Sequence, residues 1–484
     1  MTKVLGHLQP EKVFHYFEEI SNIPRGSGNE QAISDYMVAF AKKHGLEVKQ
    51  DEAKNIYITK PATPGYEDAP GVILQGHMDM VCEKNKDTEH DFEKEGLKLY
   101  IDGDFIRAKG TTLGADNGVA IAYQMAILAD NTLKHPMIEA LMTTEEETGM
   151  GGVEALHPEY LQGKRMINLD TDIEGEFLVS CAGGAKTLME LPVKRVEATE
   201  DNKTFKVVIN GLKGGHSGAD IHLELANANI LMSRILDALN EQTTLKLVAL
   251  SGGAKDNVIT RESEAIFNVT NKDVSKVKQI VEALQEVFNT EYEAQDPTIK
   301  VTVDEVNFEK HCIDEASTEA VIQFLHLMPH GVVAYSMQIP GLVETSLNVG
   351  VVKLEEDYLK LVVSIRSSVP SKRAYVLRKI EKVCEAVGAK CTITGAYPAW
   401  VYASESPLRD QAVAVYEAMY GHKPEIKAIH AGLECGFILE KLPHLDIIAL
   451  GPNTYKIHSP EECASISSMA RVYAYLIQLL ETLK

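Results

Sequence analysis

The chain has 484 residues, too many for one ordinary core and suited to about two to four domains. Its 45% hydrophobic and 24% charged residues describe a soluble globular protein. Forty-eight basic residues against 70 acidic ones leave −22, which argues against nucleic acid or an anionic membrane as partner, since both want a basic face.

The N-terminal stretch MTKVLGHLQPEKVFHYFEEI has no apolar signal core and reads as an amphipathic helix. No run approaches the ~18–20 apolar residues of a membrane span. The seven cysteines are odd in number and include no C-x-x-C pair, which fits free thiols in a reducing compartment. The expected location is the cytoplasm, with no membrane and no nucleic-acid partner.

Residues 1–185 alternate helix and strand patterns. GNEQAISDYMVAFAKKHG reads as a helix, GVILQG as a strand, NGVAIAYQMAILAD as a helix, and MIEALMTT and KRMINLD as strands. Short apolar strands alternating with helices predict an α/β sheet covered on both faces. Ligands of such sheets sit beyond the carboxyl ends of the strands.

The texture changes over 186–398. A strand–helix–strand–strand–helix run begins at TFKVVINGL, and a second begins at TIKVTVDEV. The expectation is an inserted α+β domain of two similar halves. Over 399–484 the first style returns, with helix LRDQAVAVYEAMYG, strand DIIALG and the terminal helix SISSMARVYAYLIQLLETL, so the first domain resumes after the insertion.

Polar residues gather just after the apolar strands. His77 and Asp79 follow GVILQ, and on a strand positions i and i+2 share a side. Asp116 stands at a loop-to-helix junction, Glu145, Glu146 and Glu147 follow MIEALMTT, Asp170 ends RMINLD, and His458 follows IIALG. Singly, each is better explained as cap, turn or surface chemistry. Together they put an acid or a histidine after each of five elements, and imidazole with carboxylate is the donor set of borderline divalent metals.

The ordered set GHMDMVCEKN, TTLGADNG, TTEEETGMGG, INLDTD, LKGGHSG and HSPEE resembles the di-zinc aminopeptidase/carboxypeptidase-like metallopeptidases. More narrowly it resembles their aminoacyl-histidine dipeptidase (peptidase D, cytosol non-specific dipeptidase) branch, over nearly the whole chain. The resemblance implies a mixed-sheet catalytic domain with an inserted lid and dimerisation domain. It implies that His77 and Asp170 bind one metal, Glu147 and His458 the other, and that Asp116 bridges. Asp79 supports the site from behind the ligands, and Glu146 is the general base. Glu145 and Asp172 stand as neighbouring rivals for Glu146–Glu147 and Asp170. Two cations ~3.5–4 Å apart would hold a shared water for attack on the peptide carbonyl. The metal is expected to be Zn2+, with Co2+ or Mn2+ acceptable to the same donors.

By the same resemblance His216, Asn257 and Arg366 of the inserted domain and Gly432 of the returning domain contact substrate. His216 would act across a homodimer, on the other subunit's site. The implied reaction is hydrolysis of dipeptides, Xaa-His such as β-alanyl-histidine within a broader range. A deacylase or carboxypeptidase would share these metals and differ in its pocket. A two-metal phosphoesterase would use similar residues, but no motif specific to one is present.

Overall fold

The structure is a computed structural model that describes residues 4–484; Met1–Lys3, the start of the N-terminal amphipathic stretch, lie outside the described residues. The helix in that stretch runs over Glu11–Ser21 and buries Val13, Phe14, Phe17 and Ile20 at helical spacing. The chain divides into two compact units. The first comprises Met1–Ser180, Tyr402–Ala428 and Leu433–Lys484, and the second Cys181–Val401 with the short excursion Ile429–Gly432.

The first unit is built on an eight-stranded mixed sheet. Its order is Glu47–Gln50, Ile56–Lys60, Ile138–Thr143, Val72–His77, Arg165–Asn168, Asp446–Ala449, Glu176–Cys181 and Glu425–Ile429. The four central strands are parallel. Every residue of Val72–His77 and Ile138–Thr143 is buried, so neither strand alternates apolar with polar residues, and the polar Gln75 and Glu139 within them are hydrogen-bonded. Helix Ala115–Leu128 is buried all round apart from Asp116, and helix Ile466–Thr482 packs an apolar face into the same core. Because the central strands are parallel, their carboxyl ends point one way, and the segments following them meet at one edge.

The second unit carries a nine-stranded sheet, eight of whose strands run in the order Lys300–Val306, Asn202–Asn210, Ser263–Thr270, Leu245–Gly252, Val343–Leu354, Tyr358–Ser367, Gly183–Pro192, Lys390–Tyr397. Gly331–Tyr335 pairs with Val343–Leu354 off this path. The two-half organisation is present, but its division differs from the sequence expectation. Lys300–Val306 does not open the second half; it pairs with Asn202–Asn210 and closes the first. The second half opens instead with Gly183–Pro192, which pairs with Tyr358–Ser367 and Lys390–Tyr397. The entire first half is therefore inserted after the second half's first strand. TIKVTVDEV reads correctly as a strand, but strand pairing is non-local, and sequence order does not disclose it. The halves join edge to edge through two register pairs, Ser251–Lys353 and Gly252–Val352.

Candidate metal centre

The site edge of the first unit collects the residues that follow its parallel strands. His77 ends Val72–His77, with the ring buried. Its Nε2 lies 3.0 Å from Asp116 Oδ1 and 3.7 Å from Asp170 Oδ1. His458 Nε2 lies 3.2 Å from Asp116 Oδ2 and 3.0 Å from Glu147 Oε1. The two oxygens of Asp116 thus reach two different imidazoles. Two donor groups result, His77–Asp116–Asp170 and Asp116–Glu147–His458, each with its ligand atoms within 4.8 Å of one another, and Asp116 belongs to both. A third overlapping group joins His77 to Glu146 and Glu147.

The local backbone explains these aims. Gly114 has φ +65°, and Asp116 and Asn117 depart from helical geometry before the helix becomes regular, so both side chains leave the helix sideways. Asn117 Oδ1 accepts from the His77 N–H at 3.2 Å, and its Nδ2 donates to the Leu169 carbonyl at 2.8 Å. One amide thereby ties Asp116 to the strand ends bearing His77 and Asp170. His458 sits in the left-handed region at φ +62°, an uncommon conformation for a side chain of this size.

Asp79 is fully buried and holds the segments of His77 and Glu146–Glu147 together. It lies 3.3 Å from His77 Nδ1 and accepts from the Glu146 and Glu147 N–H groups at 3.2 Å each, with Ser27 Oγ at 2.8 Å. The carboxylate faces the ring nitrogen turned away from Asp116 and Asp170, the place from which a metal-bound imidazole would be oriented. Burial opposes its charge, but the His77 contacts and the Ser27 hydroxyl hold its carboxyl below the ordinary range.

The electrostatics call for cations. Burial, with the carboxylates of Asp116, Glu146 and Glu434, pushes Asp170 well above its ordinary value despite the pull of His77. Burial pushes Glu146 up to about 8, with His77 opposing and Glu434, Glu147 and Asp116 adding to the rise. Hydrogen bonds to Asp116 and Glu147 raise His458 to about 10. A crowd of buried carboxylates with two imidazoles is costly to keep charged in a low dielectric. Divalent cations between them reverse that logic, and the donors, all nitrogen and oxygen, suit such ions.

Among the rivals, Glu145 has φ +54° and folds its carboxylate against Gly151, away from the donor groups. Asp172 accepts from Thr454 Oγ1 at 2.7 Å and belongs to neither group.

Three supports lie outside the sequence expectations. Glu462 is buried and accepts from the N–H groups of Leu113, Gly114 and Ala115 at 2.7, 2.9 and 2.8 Å, a carboxylate on the helix N-terminus that carries Asp116. The second glutamate of HSPEE was its available signal. Arg25 is buried and donates to the carbonyls of Met78, Asp79 and Gly114, bracing both ligand loops. Glu434 accepts from Gln75 at 2.6 Å and Thr143 at 2.8 Å beneath the same strand ends.

In the second unit His216, Asn257, Arg366 and Gly432 come together. A methyl at Gly218 would lie 3.0 Å from His216 Cε1 and 3.2 Å from Arg366 Cζ. The Asn257 carbonyl accepts from Ser217 N at 2.9 Å. Arg366 donates to the Tyr397 hydroxyl, against whose ring Gly432 packs. One correction follows. Gly432 belongs to the second unit, because Ala182 N–H donates to the carbonyls of Ile429 and Ala431 and binds that excursion there. Within the second unit His216 lies beside Arg366, because the first half, which carries His216, sits edge to edge with the second, which carries Arg366.

The sequence profile of peptidase family M20/M25/M40 matches residues 73–482. The chain belongs to this family. Members similar to it include the cytosol non-specific dipeptidase of Escherichia coli K12, 38% identical over 477 residues, 99% of this chain and 98% of that one. The crystal structure of aminoacylhistidine dipeptidase from Vibrio alginolyticus matches with a TM-score of 0.95 at 38% identity, covering 99% of this chain and 98% of that chain. The aminopeptidase PepT structure from Bacillus cereus has a TM-score of 0.58 at 16% identity, over 98% of this chain and 99% of that one, and shares the fold. The mixed α/β architecture in two units is thus that of an M20/M25/M40 peptidase. Among the described residues no helix is long and apolar enough to cross a membrane.

Proposed function

We propose that this chain is a metal-dependent dipeptidase, the activity named for its Escherichia coli and Vibrio alginolyticus relatives. The observation that carries the reading is Asp116, whose two oxygens serve two separate imidazoles. His77, Asp116 and Asp170 would hold one divalent ion, and Asp116, Glu147 and His458 the second. Zn2+ is the expected metal, and Co2+ or Mn2+ suit the same donors. Such ions supply Lewis-acid polarisation of the substrate carbonyl and acidify water.

The remaining chemistry belongs to the chain. Glu146 takes a proton from the attacking water and passes it to the leaving amine nitrogen. Asp79 keeps His77 and the Glu146–Glu147 backbone in register. In the second unit, Arg366 offers its fork to the terminal carboxylate and His216 stabilises the oxyanion, with Asn257 and Gly432 contacting substrate. Xaa-His dipeptides such as β-alanyl-histidine, within a broader dipeptide range, are the expected substrates. "Cytosol" in its relative's name and seven scattered cysteines support a cytoplasmic location.

The test is elemental analysis paired with hydrolysis of a dipeptide panel before and after chelation. About two metals per chain, with activity lost on chelation and restored by zinc, is the expected result. Activity without metal would overturn the mechanism, and acylated amino acids outrunning every dipeptide would favour a deacylase.

A homodimer through the second unit also belongs to this reading. Val333, Tyr335 and Met337 are 48%, 44% and 96% exposed on and beside the strand Gly331–Tyr335, an apolar surface a second copy would cover. Sedimentation equilibrium should give twice the chain mass; a monomer at all concentrations would end this part of the reading.

A further inference from the structure

Four adjacent strands of the second unit place Ser346, Arg366, Gly184 and Tyr397 in one cross-strand row. Residues directly opposite on neighbouring strands share a face of the sheet. Arg366 and Tyr397 are two strands apart, roughly 10 Å across the sheet, yet Arg366 Nη1 donates to the Tyr397 hydroxyl at 3.0 Å. They meet because Gly184 between them has no side chain, and a methyl there would run into the Tyr397 ring.

The chain makes this contact deliberately. The register of Lys390–Tyr397 shifts between Thr394 and Tyr397, and Gly395 has φ +55°. Such a bulge re-aims the side chain that follows it. Gly432 clears the other side of the ring, where a methyl would lie 2.8 Å from Cε2. Arg373 Nη1 donates to the Tyr397 and Gly184 carbonyls and pins the backbone of both. On the far side of Arg366 in the row, Ser346 Oγ is engaged by His430 Nε2 at 2.7 Å. Among the described residues the guanidinium is held at Nη1 by Tyr397, and its Nε is buried without a hydrogen-bond partner.

We propose that Tyr397 is the positioning residue that aims the Arg366 guanidinium at the substrate's terminal carboxylate, and so sets a preference for a free C-terminus. This rests on the reading of Arg366 as the carboxylate receptor. An arginine fork selects a planar carboxylate only when its plane is fixed. A long flexible side chain held at one corner by a rigid phenol keeps that plane and leaves its other donors for the ligand. An amide in place of the carboxylate cannot accept two parallel bonds from it.

The test compares alanyl-alanine with its C-terminal amide on metal-replete enzyme, for the wild type, Tyr397→Phe and Arg366→Gln. Phenylalanine keeps the ring between Gly184 and Gly432 and removes only the hydroxyl. Tyr397→Phe should lower kcat/KM for the acid by about tenfold, mostly through KM, and leave the amide within about twofold. The acid-to-amide ratio should fall toward that of Arg366→Gln; a merely structural tyrosine would slow both substrates alike. A ratio kept in Tyr397→Phe but lost in Arg366→Gln overturns the role of Tyr397 and spares the carboxylate reading. A ratio kept in Arg366→Gln overturns that reading and this proposal with it. Should Tyr397→Phe fail to fold, Gly184→Ala decides, because its methyl would push the Tyr397 ring away from Arg366 and leave both residues unchanged. A lowered acid-to-amide ratio there supports the proposal, and a retained one overturns it.

Discussion

Glu146→Gln should remove most turnover while both metals stay bound. Glu146 contributes to neither of the two donor groups that share Asp116, and its backbone N–H is held by Asp79 whatever its side chain. The amide has nearly the same volume, so packing is kept. It cannot take a proton from water or return one to the leaving nitrogen. General acid–base assistance of this kind is worth ~10²–10⁴-fold, and the loss should appear in kcat with KM little changed. The amide also removes a carboxyl that burial forces to stay protonated near neutral pH, a cost the unfolded chain does not bear, so metal-free stability should hold or rise. Elemental analysis beside steady-state kinetics reads both quantities. A variant with near-normal kcat would remove Glu146 as the base. A variant that loses metal would make it a ligand, a result the overlapping His77–Glu146–Glu147 group would then explain.

The second large effect is expected at Asp116→Ala. This one substitution takes a donor from both groups at once, whereas Asp170→Ala or His458→Ala takes a donor from one. Losing even an outer partner of a ligand commonly costs ~10–100-fold in metal affinity, so losing a shared ligand should cost at least about 100-fold at each ion. Metal content should fall well below two per chain at ordinary zinc concentrations, with activity falling in step. The melting temperature should lose its dependence on added zinc, because ligand-linked stabilisation follows occupancy. Isothermal titration with zinc and thermal scans at several zinc concentrations would show it. Two ions bound with wild-type affinity would mean that Asp116 does not join the sites. Loss of one ion only would assign Asp116 to a single site.

Much of this centre was legible before any tertiary structure. Taken alone, the histidine and acid of GVILQGHMD have ordinary explanations; the recurrence of an acid or a histidine beside five elements is what pointed to one site. That recurrence marked Asp116, at a loop-to-helix junction, and Glu147, Asp170 and His458, after apolar strands, as candidates, while their separate roles came from the family resemblance. The residues that brace them were not so marked. Arg25, Asn117 and Glu462 work through backbone carbonyls and amides of segments far away in sequence. Their own neighbours in the chain look like ordinary loops. Glu145 and Glu146 are one residue apart and chemically identical, and only the left-handed turn at Glu145 separates their directions.

The sequence by itself determined the class of the elements that its periodicity marks, and the ordered motifs that carry the family resemblance, because those are local matters of periodicity, residue type and order. Tertiary structure decided which strands are neighbours. That choice made Lys300–Val306 the end of one half and not the start of the next. It set His216 beside Arg366 within the second unit, and it lined up Arg366, Gly184 and Tyr397 across three strands that lie far apart in sequence. The physical reason is that a β-strand's side-chain pattern records which face is buried, whereas its partner is chosen by the packing of the whole sheet.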